Sequence, residues 1–182
     1  MERYIPKMGM GTTYRHNDII STFSGDILPL KRKKELVAFH EQCPLVYYGD
    51  RGVSAGFKLV DVKVITDVER FLENITELQH IKPDFMIFKD NPYLTNKKQT
   101  RTAGQPDLII EVWSESNTDE DIIFLKNLYA TSPITEHWYI EQDSNAIQCY
   151  MGKEQLPKQY LTNVLKTQKG IEFDLRYLAI SK

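Results

Sequence analysis

Three acidic residues stand where they could share one cation. Asp84 lies in the phrase KPDF, Asp107 in GQPDL, and Glu111 four positions further on, inside LIIEVW. In an extended chain, residues two apart share a face, so Asp107, Ile109, Glu111 and Trp113 fall on one side and Leu108, Ile110 and Val112 on the other. Both sides carry apolar residues, the pattern of a central strand covered on two faces. An ionised glutamate in that setting is costly unless it is paired or holds a metal. If the strand that begins at Pro83-Asp84 is a neighbour, Asp84 can approach Asp107 or Glu111 at a strand end. Carboxylates gathered at one point offer oxygen ligands for Mg²⁺ or Mn²⁺, and such a site activates water and polarises a phosphodiester. The same residues also admit plainer readings: a glutamate salt-bridged at a sheet edge, and an aspartate that belongs to a turn.

Elements must position these groups. YRHNDIISTFSGDIL places Ile19, Ile20, Phe23 and Ile27 at helical spacing, with Asn17 or Asp18 as candidate caps and Gly25 and Pro29 as interruptions. KKELVAFHEQ reads as a second short helix. CPLVYYGDRGVSAGFKLVDVKVI reads as strands divided at GDRG. DVERFLENITELQH has a helical period through Val68, Phe71, Leu72, Ile75 and Leu78. KPDFMIFKDN is a short strand with an abrupt stop, LTNKKQTRTAGQ a polar, mobile loop, and PDLIIEVW the next strand. SESNTDEDIIFLKNLYATS then turns into a helix, with caps at Ser116 to Thr118, acidic residues in its first turn, and an end at Pro133. EHWYIEQ and AIQCYMG are further strands, and the remainder reads as edge strands and turns. A strand–helix–strand connection beside adjoining strands predicts an α/β domain with a mixed central sheet flanked by helices. One domain over residues 1–182 is expected, with 1–12 irregular.

Composition bounds the function. Charged residues are 26% and hydrophobic residues 41%, as in an ordinary soluble chain. No apolar run approaches the ~20 residues needed to cross a bilayer. The first 18 residues lack the apolar stretch of a secretory signal, so a cytoplasmic protein is expected, with Cys43 and Cys149 as reduced thiols. The net charge of -2 excludes wholesale attraction to nucleic acid but leaves room for local basic runs, KRKK at 31–34 and NKKQTR at 96–101. His16, His40, His80 and His137 are scattered and form no metal-binding pair, and Trp138, Tyr139 and Tyr129 read as core. Phosphate-loop and serine-elbow motifs are missing.

From Lys82 to Asp143 the order of motifs is KPDFMIF, a polar loop, GQPDLIIEVWSESNTDEDIIFLKNLYA, and TEHWYIEQD. This stretch resembles the Uma-type restriction endonuclease family, within the PD-(D/E)xK superfamily of restriction-endonuclease-like fold; RHNDII resembles the start of its first helix. The resemblance implies Asp84 and Glu111 as metal ligands, with the backbone carbonyl of Val112 completing the inner shell. Where the wider superfamily has a lysine, two residues after the second acid, this chain has Trp113. The Uma-type family also lacks that lysine and carries one on the following helix, which makes Lys126 the candidate here for offsetting charge on the phosphate. Asp107 and Asp121 also match family positions. Asp107 is thereby a second ligand or a partner of the ligands, and Asp121 a first-turn helix carboxylate. The activity implied is that of a Mg²⁺- or Mn²⁺-dependent endonuclease on DNA, with RNA left open. By analogy with dimeric nucleases that cut both strands, a homodimer is expected. Two other readings stand beside it: a non-catalytic nucleic-acid-binding module on a degenerate nuclease fold, and a structural protein whose acids are paired internally.

Overall fold

The structure is a computed structural model that describes residues 14–40, 43–49, 57–74, 78–89, 92–95, 101–114 and 117–178. Its elements run α1 (Tyr14–Asp26), α2 (Leu28–Arg32), β1 (Val37–His40), β2 (Leu45–Tyr48), β3 (Lys58–Leu59), α3 (Val68–Asn74), β4 (Leu78–Ile81), β5 (Phe85–Phe88), β6 (Tyr93–Thr95) and β7 (Arg101–Ala103). There follow β8 (Leu108–Trp113), α4 (Asp119–Tyr129), β9 (Glu136–Glu141), β10 (Ala146–Met151), β11 (Glu154–Gln155), β12 (Gln159–Tyr160), β13 (Val164–Lys166) and β14 (Glu172–Asp174).

The main sheet is mixed, in the order β1-β5-β8-β9-β10-β11 with β12 also on β10. β8 and β9 are parallel, joined through α4, and their neighbours are antiparallel. A second sheet has the order β3-β2-β7-β6, with β4 on β2, and β13 pairs with β14. The alternation along β8 sorts its side chains between two cores. Leu108, Ile110 and Val112 join Ile19, Ile20 and Phe23 of α1, Trp138 of β9 and Phe173 of β14. Ile109 and Trp113 join Phe124, Leu128 and Tyr129 of α4 and Tyr47 and Leu59 of the second sheet. The fold class read from the sequence, α/β with a mixed central sheet flanked by helices, is the one observed. None of the helices among the described residues is long and apolar enough to cross a membrane.

Four segments differ from expectation. KKELVAFHEQ is not a helix: Lys34 at φ 60 closes α2, and Val37–His40 pairs antiparallel with β5. Burial alternates along it, Leu36 and Ala38 in and Val37 and Phe39 half out, a period-two pattern in an apolar run too short to show its own period. Among the described residues of DVERFLENITELQH, Val68–Asn74 is helical; from Leu78 the chain pairs with β2, and this cross-strand pairing overrides local propensity. In LTNKKQTRTAGQ, Leu94–Thr95 and Arg101–Ala103 are strand, since β6 pairs with β7, while 96–100 lie outside the described residues. The C-terminal part is strands and turns as read, but it is core as well. Leu161, Leu165, Ile171, Phe173 and Leu175 are buried under α1 and the main sheet.

Two local devices set the ends of β8. Gly104 has φ +144 and passes close to the Phe88 ring, where a Cβ would stand 3.2 Å away. At the other end Thr118 caps α4: its Oγ1 accepts from the Asp121 amide at 3.2 Å and donates to Asp121 Oδ2 at 2.7 Å. Asp121 is therefore a first-turn helix carboxylate, as expected.

Candidate active site

The antiparallel register Phe85↔Ile110 continues one step to set Asp84 opposite Glu111. Both carboxylates are buried, Asp84 at 1% and Glu111 at 0% exposure. They lie where β8 and its parallel partner β9 end, the side of an α/β sheet on which ligands are characteristically bound. The Val112 amide donates to Asp84 Oδ2 at 2.7 Å, and His16 Nε2 lies 3.3 Å from Asp84 Oδ1. The Tyr129 hydroxyl donates to Glu111 Oε1 at 2.5 Å. Burial first, and then the Glu111 charge, hold the Tyr129 phenol well above its ordinary range, so it stays a donor.

Asp107 is not brought to this pair. It shares the face of Glu111, but the two stand four positions apart along the strand, about 13 Å at the usual rise. Its carboxylate is taken up by Lys169 Nζ and by the Lys89 amide at 2.6 Å. This arrangement fastens the β13–β14 segment to the opposite end of β8. Asp107→Asn is accordingly expected to lower the melting temperature by about 2–4 °C, as loss of roughly 1 kcal/mol does in a chain of this size. Any nicking activity should stay within about twofold of the unmodified chain. Differential scanning calorimetry beside a plasmid assay checks both, and a collapse of activity with an unchanged melting temperature would overturn the structural assignment.

Lys126 projects from α4 over β9 and β10. Its Nζ donates to Gln148 Oε1 at 3.1 Å and lies 5.1 Å from the Trp113 ring, 5.2 Å from Tyr139 and 5.5 Å from Tyr150. Burial lowers its pKa, while the Glu141 charge pulls the other way. Glu111 faces Tyr139 and Tyr139 faces Gln148 in the register, so the hydrogen bond to Gln148 ties Lys126 to β10 while its ammonium lies over rings of β8, β9 and β10. Trp113 forms one wall of this aromatic box. Its buried indole N–H makes no hydrogen bond among the described residues.

His137 continues the network. Gly152 O can only accept, so His137 Nε2 carries the proton at 2.9 Å, and Nδ1 accepts from the Tyr139 hydroxyl at 2.7 Å. Burial pushes the imidazole down from 6.5 to about 4. The neutral ring is the folded form. Its contribution to stability is thus complete above about 6.5 and is lost as pH falls toward about 4, roughly 3 kcal/mol over that window. NMR titration should find the His137 ring protonating near 4, and urea unfolding should weaken between pH 6.5 and 4. A ring that titrates near 6.5 would refute this.

The sequence reading did not find His16 or Tyr129 as members of the site. A signal existed for His16: positions 16, 19, 20 and 23 share one helical face, and the last three are apolar. Tyr129 reads as core in the sequence, although the family that this stretch resembles also carries a tyrosine on the same helix. Among the described residues no group of three or more His, Cys, Asp or Glu side chains is arranged to hold a metal. The donors present are a pair of hard carboxylate oxygens on facing strands, chemistry that fits Mg²⁺ or Mn²⁺ better than soft metals.

Comparison with known proteins agrees with this architecture. A crystal structure of a protein from Anabaena variabilis, described as "a putative nuclease belonging to DUF820", superposes with a TM-score of 0.53 at 14% identity, covering 93% of this chain and 84% of that one. The likeness is one of fold. No curated protein matches. The family described as "Uma2: Putative restriction endonuclease" matches residues 59–180, a span that holds Asp84, Glu111, Lys126 and Tyr129 and leaves out His16. The chain belongs to the Uma2 family.

Proposed function

We propose that this protein is a metal-dependent nuclease that hydrolyses phosphodiester bonds in DNA. The observation that carries the reading is the pairing of two buried carboxylates, Asp84 and Glu111, across β5 and β8 at the end of the main sheet. Asp84 and Glu111 would hold a divalent ion, Mg²⁺ or Mn²⁺, with the Val112 carbonyl as a further oxygen donor. Such an ion, when bound, polarises a phosphate and makes a water acidic enough to attack it.

The chain's own residues prepare that chemistry. Val112 N–H and the His16 imidazole fix the two oxygens of Asp84, and Tyr129 fixes one oxygen of Glu111. Held in this way, the carboxylates need little reorganisation when charge develops. Lys126 adds positive charge on the same face of the sheet.

The test is nicking of supercoiled plasmid with Mg²⁺ or Mn²⁺ against an EDTA control; no metal-dependent cleavage would sink the reading. A second reading, a module that binds nucleic acid without cutting it, draws support from the same geometry, because protein donors already engage both carboxylates. It predicts salt-dependent binding with no cleavage under either ion.

A further inference from the structure

Beside the carboxylate pair, across β9 and β10, the sheet face opens into a cleft of about 680 Å³ between α4 and the β10–β11 turn. Its walls include Phe57, Lys126, Asn127, His137, Tyr150 and Lys153, and among the described residues that line it none is acidic. The whole chain carries 25 acidic and 23 basic residues, so a described lining with two lysines and no acid departs locally from that balance.

Glu141 acts on Lys126 through its charge, with Gln148 hydrogen-bonded to both, but it does not pair with the ammonium directly. Neither Lys126 nor Lys153 forms an ion pair among the described residues. Gln148 accepts one of the three ammonium protons of Lys126. The rings of Trp113, Tyr139 and Tyr150 stabilise the cation through their faces but bring no counter-charge. A half-buried ammonium held in this way is a preorganised hydrogen-bond donor to an anion. Next to it are flat surfaces. Tyr150 stacks on His137 at 5.3 Å and 16°, and Phe57 closes the other wall. Burial keeps His137 neutral, with its ring nitrogens on Gly152 and Tyr139.

An anion joined to a planar ring is the chemistry of a nucleotide. We propose that this cleft is a nucleotide subsite, in which Lys126 and Lys153 hold a phosphate and Tyr150 and Phe57 contact the base. Taken with the nuclease reading, on which its biological meaning rests, the subsite holds the substrate strand to one side of Asp84 and Glu111. From β8 to β10 is two strand spacings, about 10 Å.

Isothermal titration of the full chain in EDTA, with the 5′-phosphorylated dinucleotide pdTpdT and with dTMP, tests it. Asp107→Asn, whose carboxylate is engaged by Lys169 away from the cleft, should bind pdTpdT as the unmodified chain does. Lys126→Met keeps the side-chain length and should weaken binding about tenfold; Lys153→Ala, at an exposed position, should weaken it about threefold. Equal affinity for dTMP would identify a free nucleotide as the ligand, and tighter binding of pdTpdT a strand. Absence of binding, or binding untouched by both lysine variants, overturns the proposal. Lysine-dependent binding without any nicking would leave the subsite standing and remove the nuclease; nicking with no lysine-dependent binding would do the reverse.

Discussion

Glu111→Gln is expected to reduce metal-dependent nicking by about a hundredfold or more while the melting temperature stays level or rises. The two halves of this expectation come from the same fact. Glu111 is wholly buried and faces Asp84, so the fold carries a desolvated charge opposite another acid. A glutamine keeps the shape and still accepts the Tyr129 hydroxyl through its amide oxygen, but it removes the charge that a cation needs. An alanine would be a poorer probe, because it would strand the buried phenol. If Glu111 were only a structural partner of Tyr129, the pattern would reverse: lower stability and unchanged cleavage. Plasmid nicking and thermal melting on one preparation separate the two cases. A variant that cuts as well as the unmodified chain sinks the assignment of Glu111 as a ligand.

How far the site could be read in advance depends on which physical signal each residue left. Strand alternation is local, so the division of β8 into two faces, and with it the placing of Glu111 against Asp84, was legible once β5 was taken as a neighbour. Alternation gives the face but not the distance. It set Asp107 on the side of Glu111 and could not say that Lys169 claims it at the far end of the strand. His16 was visible as a polar residue on an apolar helical stripe, yet its partner Asp84 belongs to another element, and only packing of α1 on the sheet brings them together. For Lys126 the helix face was legible. Its aromatic box was not, because Tyr139 and Tyr150 come from the register of β9 on β10. The strand at Val37–His40 was hidden for a different reason: four apolar residues fit a buried helix turn and a buried strand alike.

Phe23→Ala is expected to cost about 3–5 kcal/mol, the range for emptying a buried phenylalanine site, and so to lower the melting temperature by about 10 °C in a chain of this length. Phe23 is fully buried, and its ring lies 4.8 Å from that of Phe173, 5.8 Å from Phe85 and 6.4 Å from Trp138. One side chain of α1 therefore ties the helix to β5, β9 and β14 at once, and those rings interdigitate too closely for the gap to collapse. The consequence reaches the site. α1 is the element that carries His16 to Asp84, and Phe23 lies two turns further along the same helix face. Loosening that anchorage should weaken the hold on Asp84, so nicking measured well below the melting point should fall, though less than for Glu111→Gln, whose charge is lost outright. Calorimetry and the plasmid assay give the two readouts. Melting within about 2 °C of the unmodified chain would mean that α1 does not depend on this ring for its place on the sheet, and the route from helix packing to Asp84 would have to be abandoned.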